Sequence, residues 1–159
     1  MSKSQKKIIT DLSALPSLLE TLPRPYVFTN GCFDILHRGH IDYLEQAAQL
    51  GKHLIVGVNT DESIKRLGKG ETRPINPLED RLAVLAALEC VSAVIPFAED
   101  TPIKLIELIK PDHLVKGGDW AKQDIVGAEF VESYGGQVHS LPFNYNRSTT
   151  QLIDRIKRA

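Results

Sequence analysis

No run of about 18 apolar residues occurs in this 159-residue chain, so no transmembrane helix is expected. The basic start, Met1 to Lys7, leads into no apolar stretch of the kind a secretory leader needs, and no signal peptide is expected either. Cysteine is scarce. Cys32 and Cys90 lie far apart in sequence, which favours two reduced thiols in a cytoplasmic protein over a bridge. Excess charge is lacking too: the net charge of -1 gives no case for a nucleic-acid or membrane partner. Internal repeats and low-complexity segments are absent. What remains is an ordinary globular composition, 42% apolar and 25% charged. A chain of this size can bury a core without disulfide or metal. Residues 1–159 read as a single domain, with 1–25 as an N-terminal packing arm.

Five apolar runs read as strands: Tyr26–Phe28, His53–Val58, Val91–Phe97, His113–Lys116 and Gln137–Leu141. The second, His53–Val58, is apolar almost throughout, as when both faces of a sheet are covered. Helical patterns fill the intervals. One spans Asp11–Thr21, capped by Asp11 or Ser13, and another spans Ile41–Leu50. A short one starts at Thr60 or Asp61 and runs towards Leu67. A clear one runs from Leu78 to Glu89, with Asn76 as cap and Pro77 first. Others follow Thr101-Pro102, run over Gly127–Tyr134, and open at Ser148-Thr149-Thr150 to run over Gln151–Arg158. This alternation predicts an α/β fold, a Rossmann-like doubly wound five-stranded parallel sheet with helices on both faces. Ligands in such sheets bind at the carboxyl ends of the strands. The polar clusters at 29–34, 59–63, 116–120 and 144–150 all fall at those ends.

The most informative stretch is Thr29-Asn30-Gly31-Cys32-Phe33-Asp34-Ile35-Leu36-His37-Arg38-Gly39-His40. It joins a strand to a helix through a glycine-containing turn. Free N–H groups and the positive end of the helix dipole suit an anion there. Gly39, lacking a Cβ, would let a phosphate approach the backbone. His37 and His40 could donate to its oxygens from the side. A bare His-x-x-His also fits a zinc pair or two surface histidines; the strand, glycine and helix around it point to the anion.

His37-Arg38-Gly39-His40 resembles the HxGH signature of the nucleotidyltransferase superfamily. From Tyr26 to Lys157 the chain is similar to the adenylyltransferase domain of the heptose 1-phosphate enzymes, which make ADP-heptose for lipopolysaccharide and related glycans. The similarity rests on residues 29–34, Val58-Asn59-Thr60-Asp61, Lys69-Gly70 through Arg73-Pro74-Ile75, Glu79-Asp80-Arg81, Val115-Lys116-Gly117-Gly118-Asp119 and Ser148-Thr149-Thr150. Two departures stand out: Asn146 where a glycine is expected, and Gly68 as an inserted residue. The resembling domain often follows a sugar kinase. A stand-alone form implies a separate kinase that supplies the sugar phosphate.

The resemblance implies transfer of AMP from ATP to a heptose 1-phosphate by direct attack on the α-phosphorus. It implies Mg2+ carried with ATP, no metal ligand from the protein, and a homo-oligomer, dimer or tetramer. His37, His40, Lys69 and Arg81 are its candidate catalytic residues. Thr29, Asn30, Gly31, Cys32, Phe33, Gly39, Lys116, Gly117, Asp119, Ser148 and Thr149 are candidates for the nucleotide. Asp34, Asn59, Asp61, Arg73 and Arg81 are candidates for the sugar phosphate. The segment Gly68–Asn76, with almost nothing to bury beyond Ile75 and its prolines, reads as a lid at the cleft mouth that carries Lys69 and Arg73. Two other readings stay open. One is a cytidylyltransferase acting on glycerol 3-phosphate or a similar small phosphate; the other is a non-catalytic nucleotide sensor on the same fold.

Overall fold

The computed structural model describes all 159 residues. Five parallel strands, β1 (Tyr26–Gly31), β2 (His53–Asn59), β3 (Ala93–Phe97), β4 (His113–Gly117) and β5 (Gln137–Leu141), form one sheet in the order β3-β2-β1-β4-β5. Seven α-helices connect and cover them: α1 (Leu15–Thr21), α2 (Arg38–Ala48), α3 (Asp61–Arg66), α4 (Leu78–Ala87), α5 (Ile103–Ile109), α6 (Ala128–Ser133) and α7 (Thr149–Arg158).

Alternate residues of each strand feed two cores. Phe28, Ile55, Ile95 and Leu114 pack with Ile106 and Ile109 of α5, Val131 of α6 and Leu15 of α1. Their neighbours Val27, Val56, Val94 and Val115 pack on the other face with Leu44 of α2 and Leu82 and Leu85 of α4. Each such side chain contributes about 1.5–3 kcal/mol relative to exposure. The expected doubly wound sheet is therefore present.

Element ends differ from expectation in instructive ways. Helix α2 begins at Arg38, so His37 is its N-cap residue, though without a side-chain cap bond. Helix α4 has Pro77 at its N-cap, and Asn76 lies outside it, spending its amide elsewhere. Helix α7 opens at Thr149, two residues early, because the Ser148 hydroxyl accepts the Gln151 N–H at 3.1 Å. Within residues 1–25, Leu15 is 2% exposed, and the segment also reaches the sheet. Ile8 bridges Val94 and the Ile9 N–H donates to Val94 O at 2.9 Å, which covers the open edge of β3. No helix is long and apolar enough to cross a membrane.

The register creates the crevice. β1 pairs with β2 from Tyr26 to Gly31, but with β4 only at Val27–His113 and Phe28–Leu114. Beyond Phe28 the two central strands part. That is the switch point of a doubly wound sheet, where chain connections leave in opposite directions.

Candidate active site

A cleft of about 410 Å³ opens where β1 and β4 part. His37 and His40 stack within it, ring centroids 3.9 Å apart and planes 24° from parallel. Gly39 makes that possible in a way different from expectation. A Cβ there would come within 2.9 Å of the His37 ring, so the glycine makes room for an imidazole. On the other side, the Phe33 ring meets His40 edge-on at 5.4 Å. Phe33 is held at φ 48, a left-handed conformation that costs a bulky residue of order 1–3 kcal/mol. Its ring fills the space above Gly31, where a Cβ would lie 2.9 Å away.

Both imidazoles are driven towards the neutral form. For His40, burial first, then the charges of His37 and Lys69, bring the pKa down to about 4. Burial and Arg147 lower that of His37. The Nδ1 atoms of both are buried with no hydrogen-bond partner. Stacked rings do not converge on one ion, and no three His, Cys, Asp or Glu side chains gather to hold a metal, so the zinc-pair reading finds no support. Around the histidines stand Lys69, Lys116, Arg147 and the N-terminal residues Ser148, Thr149 and Thr150 of the α7 segment. The Lys116 pKa is lowered by burial and then by Lys69, two cations facing one space. Thr149 Oγ1 donates to Ile35 O at 2.9 Å and ties α7 to the turn after β1.

Four residues assigned from sequence to the sugar phosphate have their polar groups committed within the fold, and two of them, Arg81 and Asp61, lie outside the histidine cleft. Arg81 is 1% exposed. Its Nε donates to Asn76 O, one terminal nitrogen to Cys32 O and Asn59 O, and the other to Asp61 Oδ1 at 2.7 Å. The guanidinium clasps the ends of β1 and β2 and lines no part of the histidine cleft, so neither the catalytic nor the sugar-phosphate assignment fits its place. Asp61 is spent on the same contact. Asp34 accepts from Arg73 Nε at 2.7 Å and from the Ile75 and Asn76 N–H groups at 2.9 Å. Burial alone would raise its pKa, but those N–H groups and the guanidinium outweigh it and hold the carboxyl below the usual range. Arg73, 7% exposed, touches the cleft wall but has its charge paired.

The lid expectation therefore splits. Gly68–Thr72 is exposed at the cleft mouth, with open space beside Gly68 and Gly70, and Lys69 reaches the lining. Arg73–Asn76 is stapled down by Asp34, while Ile75, one of the few residues of the segment with a side chain to bury, is 47% exposed.

Other candidates divide similarly. Asn30, Gly31, Cys32, Phe33 and Gly117 line the cleft. Thr29 does not: its hydroxyl is 2.6 Å from that of Tyr43, whose pKa burial raises to about 12. Asn59 bonds Ser63 Oγ through Nδ2 and borders a neighbouring cavity. Asp119 is exposed and lines neither cavity. Sequence reasoning missed Arg147, Thr150, Tyr43 and Phe143 as cleft walls. Arg147 had a signal, since it directly precedes the cap of α7.

The family model described as cytidylyltransferase-like matches residues 28–153. The chain belongs to the cytidylyltransferase-like family. The matched span includes every cleft residue named above and leaves out the N-terminal arm. Within this family, the chain is 57% identical over 137 residues to the D-beta-D-heptose 1-phosphate adenylyltransferase of Bordetella bronchiseptica, covering 86% of this chain and 85% of that one. It is 56% identical over 132 residues to the bifunctional protein HldE of Hahella chejuensis, where it spans only 28% of the relative's length. A solved lipopolysaccharide core biosynthesis protein from Thermoplasma volcanium superposes with a TM-score of 0.61 at 31% identity, over 77% of this chain and 98% of that one. A pantoate-beta-alanine ligase from Francisella tularensis, at 17% identity and a TM-score of 0.63, shares the fold of this cytidylyltransferase-like chain.

Proposed function

We propose that this protein transfers AMP from ATP to a heptose 1-phosphate, giving ADP-heptose and pyrophosphate. The observation that carries the reading is the 57% identity, over most of both chains, to an enzyme named as a D-beta-D-heptose 1-phosphate adenylyltransferase. The cleft supplies what that chemistry requires. A sugar-phosphate oxygen attacks the α-phosphorus in line, and the bond from that phosphorus to the bridging oxygen of the β-phosphate breaks. The acceptor is already an anion, so no protein nucleophile is needed, and catalysis reduces to positioning and charge stabilisation.

His37 and His40, as neutral donors, hydrogen-bond to phosphate oxygens where charge grows. Lys69, Lys116 and Arg147 offset the triphosphate charge, and the first N–H groups of α7 complete the cradle. Magnesium has no free carboxylate here, because Asp34 is the single acidic residue lining the histidine cleft and it is already paired. We infer that the ion comes with ATP, held by phosphate oxygens and water.

The test is pyrophosphate release with ATP or CTP against each anomer of heptose 1-phosphate and against glycerol 3-phosphate. Release with ATP and the β-anomer is expected. Release with CTP and glycerol 3-phosphate, but not with ATP and either heptose 1-phosphate, would overturn the reading.

A further inference from the structure

With Asp34, Asp61, Arg73 and Arg81 committed to one another and to backbone, the residues that receive the sugar must be sought elsewhere. The cleft is forked. A second cavity of about 350 Å³, within the range of small-molecule sites, shares Asn30, Gly31, Cys32, Lys69 and Lys116 with the histidine cleft. It runs towards the opposite face of the sheet, walled by the segments that follow β2, β3 and β4.

The two branches differ in charge. In the histidine branch the cations are Lys69, Lys116, Arg73 and Arg147, and the one carboxylate is paired. Beyond the shared lysines the second branch has no cation; it has Asp100, Asp124, Thr101 and Asn59, with the half-exposed ring of Trp120 at its side. Asp100 is fixed by Arg66 Nε at 2.8 Å, and the Lys116 ammonium lies 5.3 Å from the Trp120 ring centroid. A polyphosphate would meet the Asp124 carboxylate there, with no lining cation beyond the shared lysines to offset it. An uncharged polyol would meet hydroxyl acceptors, an amide and an aromatic face. An acceptor with both parts fits one pose: phosphate at the fork beside Lys69 and Lys116, sugar in the second branch. That pose presents its phosphate to the histidine branch, where the α-phosphorus of ATP must lie.

We propose that the second branch is the subsite for the polyhydroxylated body of the acceptor. Asp124 and Asp100 accept its hydroxyls, and Trp120 forms its wall. The proposal rests on the adenylyltransferase reading above and assigns specificity to the segment from Trp120 to Asp124.

Asp124→Asn and Trp120→Ala test it, since both side chains are exposed and neither holds the fold. Steady-state kinetics should show KM for heptose 1-phosphate rising about tenfold, with KM for ATP within about twofold. Calorimetry with a non-hydrolysable ATP analogue should give an unchanged Kd. A tenfold loss of analogue affinity would place the nucleotide in this branch and overturn the proposal, as would unaltered KM for both substrates. A wild-type protein that adenylates no heptose 1-phosphate overturns the functional reading as well. An active wild type with unaffected variants overturns the subsite alone.

Discussion

The arginines and the histidines of this site are both drawn in from solvent, and they differ in what satisfies them. Arg81 and Arg73 reach acceptors placed around them: three carbonyls and Asp61 for one, the Asp34 carboxylate for the other. The imidazoles of His37 and His40 are half-buried against each other, and neither Nδ1 has a partner. A buried polar group with all its bonds made belongs to the scaffold. One left without a bond within the fold carries a cost that a contact with a bound group would offset. The contrast separates residues that build the site from residues that use it, a separation that charge alone does not make.

The sharpest way to break this comparison is Arg81→Ala. It removes the donor shared by the ends of β1 and β2 and leaves Asp61 and three carbonyls facing a hole. Stability should fall by about 3–5 kcal/mol, the usual cost of removing one partner of a buried pair, read by urea denaturation. A small stability loss with a selectively raised KM for the sugar phosphate would return Arg81 to the substrate.

His40→Ala should do the reverse. Turnover should drop by on the order of 10²- to 10³-fold, the loss for one transition-state donor, while the denaturation midpoint stays level or rises. Turnover within a factor of two of wild type would end the catalytic assignment.

The smallest effect is on the pH dependence of stability. His40 titrates near 6.5 when unfolded and near 4 in the fold. Between those values the unfolded chain binds more protons, so stability rises with pH across the window and is lost as pH falls through it. Asp34 is also depressed, so its contribution is present above the ordinary carboxylate value of 3.8 and disappears only as pH falls through its lowered folded value. The two halves of the site should therefore fail in separate windows. Denaturation curves from pH 7 to 4 should be shallower in slope for His40→Ala than for wild type. Identical slopes would show that His40 carries no such penalty.

The sheet and the histidine cleft were legible because each leaves a local pattern. Apolar runs such as Leu54–Val58 report two covered faces, and the order of strand, glycine and helix sets His37 and His40 where β1 ends. The place of Arg81 was not legible. Three of its four bonds go to backbone carbonyls, which have no letter in a sequence, and the fourth goes to a residue twenty positions away. Its place one turn into α4 suits a surface charge as well as a ligand contact, and the family resemblance made it a candidate for catalysis and for the sugar phosphate. Arg73 was misjudged for the same reason, since its burial depends on Asp34, 39 residues earlier. The second branch was hidden because Asp100 and Asp124 lie in connecting segments with no motif and meet only once β3 and β4 are placed in the sheet.

Gly39 has a consequence for how this sequence can drift. The ring of His37 occupies the place where a Cβ would stand. The constraint on position 39 is thus imposed by a neighbour two residues away, and it lasts only while that neighbour carries a ring. A side chain gained at 39 is harmful in one genetic background and tolerable in another. The two positions are bound epistatically, and the glycine is held in place by the histidine it accommodates.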